Sequence, residues 1–222
     1  TDVNKAFCRA IGYTKEELIG ETHRIMRHPD MKDSYFKELW ETITNNAKWS
    51  GEIKNLTKNQ TTIIFIVNIE PIFEDDIKIG YRSISEDITD KKLAQTLAIT
   101  DNLTKLYNRA HLENVLKLQM AQANRYNNYM CVVLLDIDFF KNINDNYGHQ
   151  AGDIVLKEIS LVLQNNIRES DTLGRWGGEE FLIITPNITV EQCYLLCEKL
   201  RVAIESHIIE NLSSVTISIG IA

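Results

Sequence analysis

The spacing of apolar positions along this chain changes several times, and the changes divide it. In "NKAFCRAIGY" (4–13) they recur at helical spacing, and in "TKEELIG" (14–20) Thr14 is placed to cap a short helix that Gly20 closes. "DSYFKELWETIT" (33–44) sets Phe36, Leu39, Trp40 and Ile43 three and four apart, which predicts an amphipathic helix. From Trp49 the period becomes two. "WSGEIKNLTK" and "TTIIFIVNIEPIF" read as strands joined at "KNQ", and "EDDIK" turns the second into a third, "IGYRSISEDIT". Helices followed by an antiparallel meander predict a small α+β domain over residues 1–87.

Residues 88–107 read as a helical connector. Ile88, Leu93, Leu97 and Leu103 make a short apolar seam there, which suits either dimer packing or a solvated linker. A second domain, α/β in pattern, follows over 108–222. Its expected order is a helix ("RAHLENVLKLQMAQANRY"), a strand ("YMCVVLLDID"), helices over 139–148 and 151–168, a hairpin over 171–185, a helix over 190–207 and a strand over 215–221. The fold class is thus α+β overall, in two domains.

Composition narrows the function classes only a little. The 222 residues suffice for two small domains, and 44% apolar with 25% charged residues is ordinary for soluble globular protein. A net charge of −7 argues against nucleic acid or an anionic membrane as partner, yet leaves room for a small anionic substrate. Cys8, Cys131, Cys193 and Cys197 lie in apolar surroundings without metal-ligand spacing, so they read as core thiols of a reducing compartment. No apolar run approaches the ~20 residues of a membrane span and no signal-peptide pattern opens the chain, so the expectation is a cytoplasmic protein with no membrane segment. The chain opens at "TDVNKAF" and stops on the strand-like "SIGIA", so both ends read as cropped.

Candidate chemistry concentrates in the second domain. "CVVLLDID" is nearly continuously apolar before Asp136, as in a central buried strand, and a carboxylate there is costly unless it is paired or binds metal. Period two puts Asp138 on the same face, about 6.6 Å further along if the strand continues. In "RWGGEEF" (175–181), Glu179 and Glu180 stand beside two glycines that let backbone approach a bulky ligand. Strand-end Asp with hairpin-tip Glu suits magnesium and phosphate. Taken alone, the hairpin is equally a surface turn with solvated acids.

Its company carries a resemblance. "DNLTKLYNR" (101–109), "DIDFFKNIND" (136–145) with "GHQAGD" (148–153), "RWGGEEF" and "VTISIGIA" (215–222) resemble, in order and spacing, the GGDEF family of diguanylate cyclases. The resemblance runs from about Asp101 to Ala222. It implies a palm-like βαββαβ domain that binds GTP with Mg2+ (or Mn2+) held by Asp136, Glu179 and the Ile137 carbonyl. It further implies that Asn144 and Asp153 read the guanine edge, whose O6 acceptor and N–H donors suit an amide and a carboxylate. Lys141 and the backbone after Asp138 would hold phosphates, and Gly177 and Gly178 would lie close to the nucleotide. Glu180 would help deprotonate the attacking 3′-hydroxyl or hold a second metal. Catalysis would therefore rest on Asp136, Glu179 and Glu180.

By the same resemblance, two GTP join into cyclic di-GMP with loss of pyrophosphate, between two domains that face each other in a homodimer formed through the front domain and linker. "RESD" (168–171) looks like the family's inhibitory site, with Arg168 and Asp171 binding the product. The alternatives are a catalytically silent module that binds GTP or cyclic di-GMP to regulate a partner, and a bifunctional protein with a phosphodiesterase domain beyond residue 222. The family continues past "SIGIA" with a helix of basic, phosphate-contacting residues, so these 222 residues alone are expected to be weak or inactive and the full-length protein active.

Residues 1–90 resemble a PAS sensor domain through "GYTKEELIG", "HPDM", "FKELWETI", "WSGEIKN" and the "EDIT" exit. "HRIMRHPDM" with "WSGEIKNLTKNQ" is similar to the aerotaxis-receptor type, which carries FAD. That nominates Arg27, His28, Asp30 and Trp49 as pocket residues. Another ligand or haem, or an empty dimerisation module, are the other readings, and His28-Pro29-Asp30 also fits a capped turn.

Overall fold

The computed structural model describes residues 2–210, 212 and 214–222, and the chain divides into two compact units between Gln95 and Thr96. In the first unit, helix α1 (Lys5–Ile11) is capped by Asn4, whose side-chain oxygen accepts the Phe7 N–H at 2.8 Å. Thr14 caps α2 (Lys15–Leu18) in a reciprocal box with Glu17. A 3-10 turn (His23–Met26) leads to α3 (Asp33–Thr44), which has the bounds that its periodicity predicts. Strands β1 (Trp49–Leu56), β2 (Thr62–Glu74) and β3 (Ile77–Asp87) form an antiparallel meander in that order. Period-two burial of Ile63, Phe65 and Val67 on β2 meets Leu39 and Ile43 in one core.

Trp40 departs from the expected core. It is 54% exposed and lies edge-on against Tyr81, because the helix rotates it about 100° from Leu39, which takes the sheet-facing position.

The connector is only partly helical. Helix α4 (Thr89–Ile99) stops where Asp101 offers its own carboxylate to the backbone. Asp101 Oδ1 accepts both the N–H and the O–H of Thr104 at 2.8 Å, and Lys105 turns left-handed at φ 62°. Residues 100–107 are therefore a turn on the second unit, with Tyr107 bridged to Gly174, rather than the helix that the sequence suggests. The expected seam shrinks accordingly. Ile88 is buried and Leu103 packs on the second core, while Leu93 and Leu97 remain 56% and 52% exposed.

The second unit is a three-layer domain. It runs α5 (Arg109–Tyr126), β4 (Met130–Ile137), α6 (Phe140–Tyr147), α7 (His149–Asn166), β5 (Thr172–Gly177), β6 (Glu180–Pro186), α8 (Val190–Glu205) and β7 (Ile217–Ile221). The sheet order is β5-β6-β4-β7, with every neighbouring pair antiparallel. Alternation on the strands separates the layers. Val133, Leu135, Ile137, Phe181 and Ile183 meet α7 and α8 on one face, whereas Leu182 and Ile184 meet Leu112 of α5 on the other. The central strand is thus flanked on both faces, as its apolar run predicts. Cys131, Cys193 and Cys197 are buried free thiols, and burial pushes Cys131 up to about 11. Among the described residues no helix is long and apolar enough to cross a membrane.

Candidate active site

Register and pleat decide where the acids fall. Asp136 lies directly opposite Glu180 across the β4–β6 pair and opposite Ser218 across the β4–β7 pair. By alternation it shares the sheet face of Leu134, on the side where α5 packs. Leu134 is 39% exposed and Asp136 is open to solvent, so this end of the face is not covered. β5 and β6 join through a two-residue turn, Gly178–Glu179, in which Gly178 adopts φ +40°. Glycine tolerates that left-handed backbone without a Cβ clash. The tight turn sets Glu179 at the hairpin tip, while the Glu180 carboxylate lies over Gly177.

Partial burial raises the Asp136 pKa above the ordinary carboxylate value, and the negative charges of Glu179, Glu180 and Asp138 add to it. None of these four acids has an ion-pair partner among the described residues. Uncompensated charge of this kind fits a divalent cation. No three acidic, His or Cys side chains close into a ready-made cage among the described residues, so phosphate oxygens or water would have to complete a coordination shell.

The hairpin is held from behind by a residue to which the sequence reading gave no role. Arg175 donates from Nε and Nη2 to the Gly178 carbonyl at 2.9 and 2.7 Å, and from Nη1 to Asp101 at 3.2 Å. The Tyr107 carbonyl accepts the Arg175 N–H at 2.9 Å, which docks the 100–107 turn on β5. Arg109 stacks over Trp176 at 4.6 Å. Burial opposes ionisation of Asp101, but the Thr104 donors and Arg175 outweigh it and hold its pKa below the usual range.

On the adjoining helices, α6 and α7 meet where Asn144 faces Gly152. A Cβ on Gly152 would stand 2.1 Å from Asn144 Oδ1, so only glycine admits the amide there. The next residue, Asp153, is exposed, as is Lys141 on α6, and neither has an ion-pair partner among the described residues. Gly152 stands in "GHQAGD", but nothing in local spacing marks the close approach to Asn144 that requires a glycine there.

The family profile described as "Diguanylate cyclase, GGDEF domain" matches residues 98–222, more than half of the chain. This chain belongs to the GGDEF family. The PAS fold profile matches residues 1–82, giving a PAS domain followed by a GGDEF domain. The chain is 42% identical over 127 residues to the diguanylate cyclase DgcP of Pseudomonas aeruginosa, covering 56% of this chain and 19% of that protein. It is 29% identical over 187 residues to the diguanylate cyclase DosC of Escherichia coli, covering 84% and 37%. In structure it is similar to the coiled coil and GGDEF domain of DgcB from Caulobacter crescentus in complex with c-di-GMP, with a TM-score of 0.57, 29% identity, and coverage of 60% of this chain and 72% of that one. The chain therefore spans only about a fifth to somewhat over a third of the length of these curated relatives.

In this GGDEF domain the "RESD" residues lie between α7 and β5. Asp171 Oδ2 accepts the Arg168 N–H at 2.9 Å and the Asp171 N–H returns to the Arg168 carbonyl at 3.0 Å. That closed turn leaves the Arg168 side chain exposed, without an ion-pair partner among the described residues.

Of the four pocket residues nominated in the PAS domain, Arg27, His28 and Asp30 share one turn, and Trp49 lies in the core at the start of β1. Arg27 bridges Asn55 at the far end of β1, pairs with Asp33 at 2.7 Å and covers the Phe36 ring. His28 bonds Thr62 at 3.1 Å and the Asp30 N–H at 3.2 Å, while Asp30 meets Lys54 at 3.5 Å. Trp49 is core at the near end of β1, six residues or about 20 Å from Asn55 along the strand. His28 and Asp30 thus form the capped turn.

Proposed function

We propose that this protein is a sensor-controlled, cytoplasmic diguanylate cyclase that makes cyclic di-GMP from two GTP. The observation that carries the reading is the convergence of Asp136, Glu179 and Glu180 at the uncovered end of the sheet, with no ion-pair partner for them among the described residues.

Asp136, Glu179 and the Ile137 carbonyl would hold magnesium or manganese, which when bound neutralises charge developing on the phosphoryl oxygens. Asn144 and Asp153 orient guanine by accepting from its N–H donors and donating to O6. Lys141 and the backbone after Asp138 hold phosphate, and Gly177 and Gly178 let the nucleotide lie against the hairpin. The 3′-oxygen of one GTP bonds to the α-phosphorus of the other, and the bond to pyrophosphate breaks in line. Glu180 is our assignment for the group that takes the hydroxyl proton. The same exchange in the opposite sense closes the ring, so two domains must face each other. The exposed Leu93 and Leu97 of α4 suit the homodimer contact that brings them together, and the PAS domain is the element through which a signal would act on it.

Arg168 and Asp171 are our assignment for the product site, and Arg168→Ala should relieve inhibition by added cyclic di-GMP without lowering the uninhibited rate. The test of the whole reading is incubation of the intact protein with GTP and Mg2+, with products separated by chromatography. Appearance of cyclic di-GMP with two pyrophosphates per molecule supports it; binding of GTP with no product would favour a silent regulatory module.

A further inference from the structure

Asp138 lies two residues beyond Asp136 and, by alternation alone, belongs with it as a second metal-facing acid. The chain does something else with it. β4 ends at Ile137, and the Asp138 N–H donates to the Thr216 carbonyl at 3.0 Å. Its two carboxylate oxygens are each taken by a hydroxyl from the β7 side of the sheet: Thr216 Oγ1 donates to Oδ2 and Ser218 Oγ to Oδ1, both at 2.6 Å. Thr216 and Ser218 alternate on one face, and Ser218 is the residue opposite Asp136.

The turn that follows needs a holder. Phe139 adopts a left-handed φ of 56° and is 79% exposed, an unfavourable backbone for a bulky residue with no packing to fix it. Immediately after it α6 begins at Phe140, with no side-chain cap at its start. The segment from Phe139 to Lys141 therefore presents backbone N–H groups with no side chain of α6 to fix them; α6 holds the turn only through the Phe139 carbonyl, which accepts the Asn142 and Ile143 N–H groups at 2.8 and 3.3 Å.

We propose that Asp138 is a positioning residue, not a metal ligand: latched by Thr216 and Ser218, it fixes the Asp138–Lys141 turn in the shape that receives the nucleotide phosphates. This rests on the GTP-binding reading above. It also explains the Thr216 and Ser218 hydroxyls, which the reaction does not otherwise use.

Amide and carboxylate separate the two roles. The Thr216 and Ser218 hydroxyls can accept as well as donate, so Asp138→Asn preserves the latch, whereas a neutral amide in place of a metal-binding carboxylate would not preserve metal affinity. The experiment uses the intact protein and a GTP analogue with a methylene bridge between its α- and β-phosphorus, titrated by calorimetry across a magnesium series. The companion measurement is hydrogen exchange of the 138–141 amides. Asp138→Asn should keep analogue affinity within about threefold and leave the half-saturating magnesium concentration unchanged. The double variant Thr216→Val with Ser218→Ala should weaken the analogue about tenfold and speed exchange at 138–141, again at an unchanged magnesium midpoint. A shifted magnesium midpoint in Asp138→Asn, or unaltered exchange in the double variant, overturns the latch while leaving the cyclase reading intact. A wild-type protein that binds no analogue overturns both.

Discussion

Asp101 and Arg175 are 74 residues apart in sequence and 3.2 Å apart in space, and the same guanidinium holds the Gly178 carbonyl at the tip of the acidic hairpin. One side chain thus ties the segment that enters the GGDEF domain to the turn carrying Glu179.

Both partners are largely shielded, with 17% and 24% of their side chains exposed, so removing one leaves the other poorly solvated. Arg175→Ala should cost about 1–3 kcal/mol and loosen the hairpin. A double-mutant cycle with Asp101→Ala should return a coupling of about 1–2 kcal/mol, and strictly additive losses would show that the two residues act separately. Arg175→Lys should not restore the clamp, because a point-like ammonium lacks the fork needed for both acceptors. Acid unfolding gives a second check. The folded pKa of Asp101 is depressed, so its contribution is fully present above the usual value of about 3.9 and is lost as pH falls through the lower folded value. Asp101→Asn should flatten that acid limb.

Asp136 has the opposite sign. Its pKa is raised by burial and neighbouring acids, so its charge destabilises the fold once pH passes upward through the ordinary carboxylate value. Asp136→Asn should raise Tm at pH 7 slightly, since solvent screens an exposed carboxylate, and the gain should vanish once pH falls below the ordinary carboxylate range. The same variant should lose the further stabilisation that magnesium and a GTP analogue give the wild type. A lowered Tm at pH 7 would contradict the account of the acids as an uncompensated cluster.

Gly152→Ala tests the meeting of α6 and α7. The new Cβ would collide with the Asn144 amide, which is the free end of a side chain and can swing aside. The fold should survive with a change of about 1 kcal/mol or less, since alanine also favours the helix. The KM for GTP should nevertheless rise roughly tenfold, with kcat falling less, because the displaced amide is the one assigned to guanine. An unchanged KM would remove Asn144 from the base-reading role.

Local chemistry was legible in the sequence, and non-local pairing was not. The bounds of α3, the Thr14 cap, the central β4 strand and the acidic hairpin each follow from spacing within a few residues. The 100–107 segment reads as helix because its apolar spacing continues through Leu103, whereas the Asp101 carboxylate acts through hydrogen bonds to Thr104 that periodicity does not register. Trp40 shares the helical apolar spacing with Leu39, although only one of them faces the sheet. Asp138 shows the same limit at the site itself. Its parity with Asp136 was readable, but the hydroxyls that occupy it come from about 80 residues downstream. Arg175 and Asp101 stood in view within two quoted motifs, and only the sheet shows that they touch.

The central claim is that Glu179, at the hairpin tip, belongs to a working synthetic site. The direct measurement is cyclic di-GMP formation from GTP and Mg2+ by the intact protein and by Glu179→Ala, with Tm recorded for both. We predict synthesis by the wild type and at least a hundredfold loss in the variant, on the order of 3 kcal/mol in the barrier, at an unchanged Tm. Equal synthesis by the two proteins would contradict it.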